Sequence, residues 1–348
     1  MKAVVYEGVG SVAVREVPDA VVESPSDAVV RVSTAAICGS DLHFFHGKAP
    51  LYASETIGHE AVGIVESVGS GVDRFRVGQR VVVAFDIACG TCWFCGRGQT
   101  QLCEDFANLG AGVFGGGLGG AQAELVRVPH ADFNLLAVPE GIEDERAIFV
   151  GDVLTTGYYG ASIAGIREGD TVAVVGAGSV GYLCARSAVI RGAGKVLVLD
   201  REPDRLALAV EGSDVIVGVN VDEHNPHMAL SDVTDGRGAD VAIEAVGNPT
   251  AFDTALDVVR RGGVVCVVGM FSGEQVEVPL GVWWARALGI RFAGITPVHA
   301  WWEETMRLVE ASQLDPAPLV SHTLPLDEAV LGYELFSSRR ATKVLLKP

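Results

Sequence analysis

Four cysteines fall within fifteen residues, as Cys89-x2-Cys92-x2-Cys95-x7-Cys103. Four thiolates so spaced can close a tetrahedral zinc site with no coordination position left open, which makes the metal's role structural. The lobe between them holds few large apolar residues beyond Trp93 and Phe94, so the metal must supply its shape. An iron–sulfur cluster is one alternative. The common ferredoxin run has a shorter last gap and a following proline, however, whereas Glu104 follows here. Two disulfides are the other alternative, and they need an oxidising compartment.

A second group has the residue types and spacing of a phosphate-binding turn. Thr171-Val-Ala-Val-Val175 leads into Gly176-Ala-Gly178-Ser179-Val180-Gly181, and Asp200 lies nineteen residues past the third glycine. This is the context of a dinucleotide fingerprint, a strand, a glycine turn and a helix whose N-terminal N–H groups meet the pyrophosphate. Asp200 is placed to accept hydrogen bonds from the adenosine ribose. A 2′-phosphate there would meet a carboxylate, so NAD is expected over NADP. Arg201 and Arg205 point the other way, because arginine nearby can accommodate that phosphate. The plainer reading is that the glycines only turn the chain and Asp200 only ends a strand.

Three further segments carry ligand and proton-transfer chemistry: Cys38-Gly-Ser40-Asp41-Leu-His43, Gly58-His59-Glu60, and Gly151-Asp152 ahead of Val153-Leu-Thr-Thr156-Gly157. Each residue taken singly is as readily structural, and nothing local shows that the segments meet.

The elements that must position these groups change character near residue 150. Before it, Val-dense runs between Gly, Pro and Asp read as strands at 28–32, 61–68, 80–84 and 123–128, a compact barrel-like antiparallel domain. The glycine-rich stretch 110–120 reads as a loop. After it, strands at 171–175, 196–199, 215–217, 241–245 and 264–268 alternate with helices at 180–191, from Pro203 and after Pro249. That alternation predicts a parallel sheet buried on both faces. Beyond about Pro297 come a helix at 301–311 and short strands.

With 348 residues, 49 % of them hydrophobic and 20 % charged, the chain has the balance of a globular protein of two domains. A net charge of −18 would repel a phosphate backbone, so nucleic acid is not an expected partner, and the acidity is read as solubility. No apolar run approaches the roughly 20 residues of a membrane span. The N-terminus has no signal-peptide pattern, and a cytoplasmic location is expected.

The order of these motifs resembles the zinc-containing medium-chain alcohol dehydrogenases over nearly the whole chain. The marks are Cys38-Gly-Ser-Asp-x-His43, Gly58-His-Glu60 with Gly63 and Gly69, the four cysteines, and Gly176 to Gly181. The resemblance implies an α/β protein, with a Rossmann doubly wound parallel sheet domain (153–297) and a GroES-like β-barrel catalytic domain (1–152 and 298–348) that carries the structural-zinc lobe. It implies two Zn2+ per chain and NAD(H). Cys38, His59 and Asp152 match the catalytic zinc ligands, aspartate being the third ligand in a bacterial and archaeal branch. Glu60 matches a carboxylate that can approach the metal, and Asp41 an acid that orients the ligand histidine. Ser40 and His43 match a proton relay. Thr156, Gly176, Gly178, Ser179, Val180, Gly181, Asp200, Arg201 and Arg205 are the implied cofactor contacts. Phe85 and Ile295 are placed by family position along the substrate pocket. At Gly78-Gln79-Arg80 the chain departs from the family's usual aspartate after the glycine.

Three protein ligands leave one zinc position for water or substrate, which eases ionisation of an alcohol and polarises a carbonyl. The implied activity is reversible hydride transfer between primary or secondary alcohols, or the matching aldehydes and ketones, and NAD. A polyol or threonine dehydrogenase of the same family is the near alternative. A non-catalytic NAD-binding structural or regulatory protein is the distant one, and it would be supported by a missing ligand. The family also implies a homo-oligomer, tetramer favoured over dimer, and no membrane partner. Cys184 and Cys266 read as core. His46, His130, His224, His227 and His322 lack ligand spacing. Trp283-Trp284 and Trp301-Trp302 read as packing or subunit contact.

Overall fold

The computed structural model describes residues 1–273 and 275–348. It forms two compact units, Met1–Thr155 with Pro297–Pro348, and Thr156–Thr296. The division falls three residues beyond the first boundary expected from sequence.

In the first unit the Val-rich segments build a seven-stranded sheet. Its path runs His322–Pro325, Val344–Lys347, Ala28–Ile37, Glu60–Val68, Arg80–Val83 and Leu135–Ala137, and Leu125–Val128 also pairs with Ala28–Ile37. One face of the alternating side chains forms the core, with Val30, Ile37, Val65, Val83 and Leu135 all buried, and Tyr333 of the helix Ala329–Ser337 packs into it. A hairpin, Lys2–Gly8 with Ser11–Glu16, packs Val4, Tyr6 and Val12 into the same core. The hairpin was not foreseen, because its first strand is short and reads as a chain terminus.

Register gathers chemistry at one end of this sheet. Ala36 pairs with Glu60, Ile37 with Val344, and Ala61 with Val83. Residues 38, 59, 60, 343 and 85 therefore emerge together, although they are scattered along the chain.

In the second unit six parallel strands lie in the order Ile216–Asn220, Lys195–Asp200, Thr171–Val175, Ala239–Glu244, Val259–Val267, Gly289–Phe292. The order reverses between Thr171–Val175 and Ala239–Glu244, the place where such sheets bind ligands. Val172, Val174, Val198 and Ile243 have no exposed surface, which explains runs that are apolar on both faces. The crossovers include helices Ser179–Ile190, Pro203–Val210 and Pro249–Val258. The strand expected from Val264 begins at Val259, with Arg260 to Gly263 hiding its start. The edge strand Gly289–Phe292 and the helix Leu280–Ala285 were not foreseen, since neither carries a long apolar run. No helix among the described residues is long and apolar enough to cross a membrane.

Candidate functional site

Cys38 follows directly on the strand Ala28–Ile37, and His59 directly precedes Glu60–Val68. Asp152 arrives differently. The turn Ile148–Gly151 lies against the sheet, and the Gly151 carbonyl accepts the Phe85 N–H at 3.2 Å. A Cβ on Gly151 would sit 2.5 Å from the Val83 carbonyl oxygen, so only glycine lets the chain approach closely enough to deliver Asp152.

These segments converge. One ligand atom from each of Cys38, His59, Glu60 and Asp152 lies within 4.8 Å of the others, and all four residues are buried. Cys38 Sγ is 3.5 Å from Asp152 Oδ2, and His59 Nε2 is 3.2 Å from the same oxygen. With Zn–S near 2.3 Å and Zn–N or Zn–O near 2.0–2.1 Å, tetrahedral ligand edges come to about 3.5 Å for S···O and about 3.3 Å for N···O. The separations fit a zinc ion.

The electrostatics fit it too. Burial pushes the Cys38 thiol up, and Asp152 and Glu60 push it further, so a thiolate here needs a cation beside it. Burial opposes a charge on His59, but Asp41 and Asp152 raise its imidazole well above the ordinary range. A carboxylate oxygen 3.2 Å from a bare Nε2 lone pair is repulsive unless a proton or a metal lies between them. Asp41 Oδ1, 3.1 Å from Nδ1, holds the other ring nitrogen as the protonated one, and Asp41 Oδ2 accepts the Cys38 N–H at 2.9 Å and a Gln122 amide N–H at 3.1 Å.

Glu60 is wholly buried, and Oε1 meets Lys343 Nζ at 2.5 Å, while Oε2 has no hydrogen-bond partner among the described residues. Burial raises this carboxyl and Lys343 opposes the rise. Lys343 is 1 % exposed. Its sequence context, an ordinary lysine before Val344-Leu-Leu, gave no sign of this; only the strand register does. Truncating one member of a fully buried pair strands a charge, so Lys343→Met should destabilise the fold by about 3–5 kcal/mol, and Glu60→Gln in the same chain should recover part of that. Urea unfolding of the two variants checks it; an unchanged midpoint for Lys343→Met would contradict it.

Ser40 Oγ lies 3.3 Å from His59 Nε2, and His43 stands on the short helix Asp41–Phe45 that follows. Phe85 turns its ring edge-on to His59, with centroids 6.1 Å apart. Sequence also missed Asp86, which is buried, has two carboxylate oxygens with no hydrogen-bond partner among the described residues, and is pushed well up by burial. His299 lies 3.9 Å from it and is pushed down to about 3 by burial, with Thr100 and Asn134 on its two nitrogens.

The second cluster is the four-cysteine lobe, again with ligand atoms within 4.8 Å of one another. Cys92 Sγ and Cys103 Sγ are 3.9 Å apart, against about 3.8 Å for a tetrahedral ZnS4 edge. Cys89 Sγ accepts N–H groups from Thr91 and Cys92, and Cys103 Sγ accepts them from Cys89 and Asp105. Such bonds favour thiolates, and backbone N–H groups at Cys95 and Glu104 bring the Cys92 thiol down to about 6, whereas burial pushes the Cys95 and Cys103 thiols up, so four thiolates together need a cation. All seven cysteines are free of disulfides.

In the second unit Gly176 has φ +101°, and a Cβ on Gly181 would sit 1.9 Å from the Gly176 carbonyl oxygen. Gly178 caps the helix Ser179–Ile190, with open space around it, since a Cβ there would have only Arg205 Nη1 for a neighbour, at 4.0 Å. Asp200 Oδ2 accepts the Ala177 N–H at 2.6 Å, tying the acid to the glycine turn. Arg201 is exposed and Thr156 begins the unit. Ile295 is 40 % exposed, and Cys184 and Cys266 are buried.

Residues 24–140 match the alcohol dehydrogenase GroES-like domain, and residues 179–311 the zinc-binding dehydrogenase domain. The chain is 39 % identical to the zinc-type alcohol dehydrogenase-like protein AdhB of Bacillus subtilis, over the full length of both. Among solved structures it is similar to the alcohol dehydrogenase TADH from Thermus sp. ATN1, at 43 % identity and TM-score 0.94, covering 100 % of this chain and 99 % of that one. A zinc-binding dehydrogenase from Sinorhizobium meliloti bound to NADP matches at 30 % identity and TM-score 0.86, with the same coverage. The chain belongs to the zinc-dependent medium-chain alcohol dehydrogenase family.

Proposed function

We propose that this protein oxidises primary or secondary alcohols, and reduces the matching aldehydes and ketones, with NAD as hydride carrier. The observation that carries the reading is the buried convergence of Cys38, His59 and Asp152 from three distant segments. When bound, zinc supplies a Lewis acid that acidifies an alcohol and polarises a carbonyl, and the nicotinamide accepts or returns hydride.

The chain's own residues do the rest. Cys38 and Asp152 supply two negative ligand groups, and His59 a neutral one, oriented through Nδ1 by Asp41. Ser40 Oγ takes the hydroxyl proton and hands it toward His43. Lys343 offsets the Glu60 charge, so the pocket is not overloaded with anions. Ser40→Ala should lower turnover by about 10²–10⁴-fold with NAD affinity nearly unchanged. Steady-state kinetics with fluorescence titration of NADH decide this, and a near-normal rate removes Ser40 from the relay.

The turn 176–181 holds the pyrophosphate, and Asp200 the adenosine ribose. Asp200→Ala should cut the NAD-over-NADP ratio of kcat/KM by about 10–100-fold, the worth of one hydrogen bond to a charged group. A ratio unmoved by the change would assign cofactor choice elsewhere, Arg201 and Arg205 being the nearest candidates.

We also infer a cytoplasmic homo-oligomer, with a tetramer favoured over a dimer. The exposed Leu280, Trp284 and Phe292 of the second unit, at 70, 82 and 72 %, support association.

An NADH-absorbance screen of zinc-replete enzyme over short, secondary and aromatic alcohols, polyols and threonine tests the activity. Turnover of simple alcohols is expected. Turnover confined to polyols or threonine would move the substrate assignment within the family, and no turnover at all would contradict the reading.

A further inference from the structure

Beyond the ligand set, an uninterrupted buried hydrogen-bond chain runs from the C-terminal part of the first unit to His59. Tyr333, on the helix Ala329–Ser337, donates its hydroxyl to Gln122 Oε1 at 3.0 Å. Gln122 Nε2 donates to Asp41 Oδ2 at 3.1 Å and to the Ala36 carbonyl at 3.0 Å. Asp41 Oδ1 meets His59 Nδ1 at 3.1 Å. Tyr333 and Gln122 have no exposed surface, and Asp41 and His59 are 3 and 7 % exposed. The Gln122 amide has one workable orientation, because the Ala36 carbonyl and the Asp41 carboxylate can only accept, so the nitrogen must face them.

We infer that Gln122 and Tyr333 are positioning residues for the metal-binding imidazole, acting in series through Asp41. The inference rests on the reading that Cys38, His59 and Asp152 hold zinc.

Two features make the chain more than packing. Asp41 Oδ2 is fixed by two donors, the Cys38 N–H and the Gln122 amide, which sets the carboxylate plane and with it the imidazole plane. Gln122 also presses on the backbone that delivers the ligand. Gly58, with φ +89°, precedes His59, and a Cβ there would sit 2.3 Å from Gln122 Cγ. The tyrosine ring is itself pinned by Phe45, at a centroid distance of 5.4 Å, so the hydroxyl is delivered to one place. A buried glutamine whose every group is satisfied transmits geometry, and losing one partner leaves the group it met unpaired in the interior.

Gln122→Met and Tyr333→Phe remove the polar contacts and nearly keep the volume. Zinc-loaded enzyme is mixed with excess colorimetric chelator, and the release of its two zinc ions is followed. The four-cysteine zinc serves as the internal standard. Partners that orient a ligand histidine are worth about 10–100-fold in metal affinity, so Gln122→Met should speed release of one zinc about tenfold and Tyr333→Phe about threefold. The double variant should release no faster than Gln122→Met alone, because Tyr333→Phe keeps the ring on Phe45 and removes only the hydroxyl, which reaches Asp41 through Gln122. Release of the other zinc should stay at the wild-type rate.

Unchanged release of both ions would overturn the inference while leaving the metal site intact. Equal acceleration of both ions would also overturn it, since that is general loosening. Multiplying effects in the double variant would overturn the serial route. Wild-type enzyme that holds only one zinc after loading would overturn the metal-site reading itself, and this inference with it.

Discussion

Cys38→Ser enzyme should retain one zinc per chain instead of two and lose at least about a thousandfold in turnover, the value of several kcal/mol of Lewis-acid stabilisation. Serine nearly matches cysteine in volume, but its hydroxyl does not ionise at neutral pH and is a poor zinc ligand. The remaining donors, His59 and Asp152, lose the softest member of the set. The fold should survive, because Cys38 contributes a small side chain at the end of a strand already paired on both sides. Far-UV circular dichroism should therefore be unchanged and the melting temperature nearly so. Metal analysis with steady-state rates checks both halves. Two zinc ions and a normal rate would remove Cys38 from the site.

Cys103→Ala should have its largest effect on stability. Cys103 is 6 % exposed, and its sulfur accepts the N–H groups of Cys89 and Asp105. The lobe's small core is Ala88, Cys95 and Cys103, with Phe106 and Phe133 packed against it. Four thiolates crowded together repel when no cation is present, and three cannot hold the same closed site. Structural zinc contributes about 10–16 kcal/mol to binding-coupled folding in small zinc modules. If on the order of 5 kcal/mol of that is felt by the whole unit, the melting temperature falls by about 10–20 °C. Chelation of the wild type should move it the same way. Thermal unfolding with limited proteolysis of residues 89–103 provides the check, and an unchanged melting temperature with an uncut lobe would contradict it.

The two zinc sites were not equally legible in the sequence. The four-cysteine lobe and the glycine fingerprint are local, since the ligands or the turn lie within fifteen residues or one strand–helix unit, and their chemistry can be read from spacing. The open site is assembled by sheet register, which brings Cys38 and His59 together, and by the turn Ile148–Gly151 that carries Asp152 against the sheet. Cys38, His59 and Asp152 came from a resemblance across the chain, and nothing in their neighbourhoods brings them together. Lys343 lies almost three hundred residues from Glu60, and it becomes visible only when Ile37 is seen to pair with Val344. Gln122 and Tyr333 were missed for the same reason, since a glutamine and a tyrosine amid apolar residues look like ordinary packing. The fold class was readable because period and composition change near residue 150. The short edge strand Gly289–Phe292 and the N-terminal hairpin were not, because four to seven residues hold too few alternations to stand above their surroundings.

Anomalous diffraction from crystals of zinc-loaded enzyme at the zinc absorption edge tests the central claim most directly. Two peaks per chain are expected, one inside the four-cysteine lobe and one within about 2–2.4 Å of Cys38 Sγ, His59 Nε2 and a carboxylate oxygen of Asp152. A single peak in the lobe, or a second peak away from those three atoms, would contradict it.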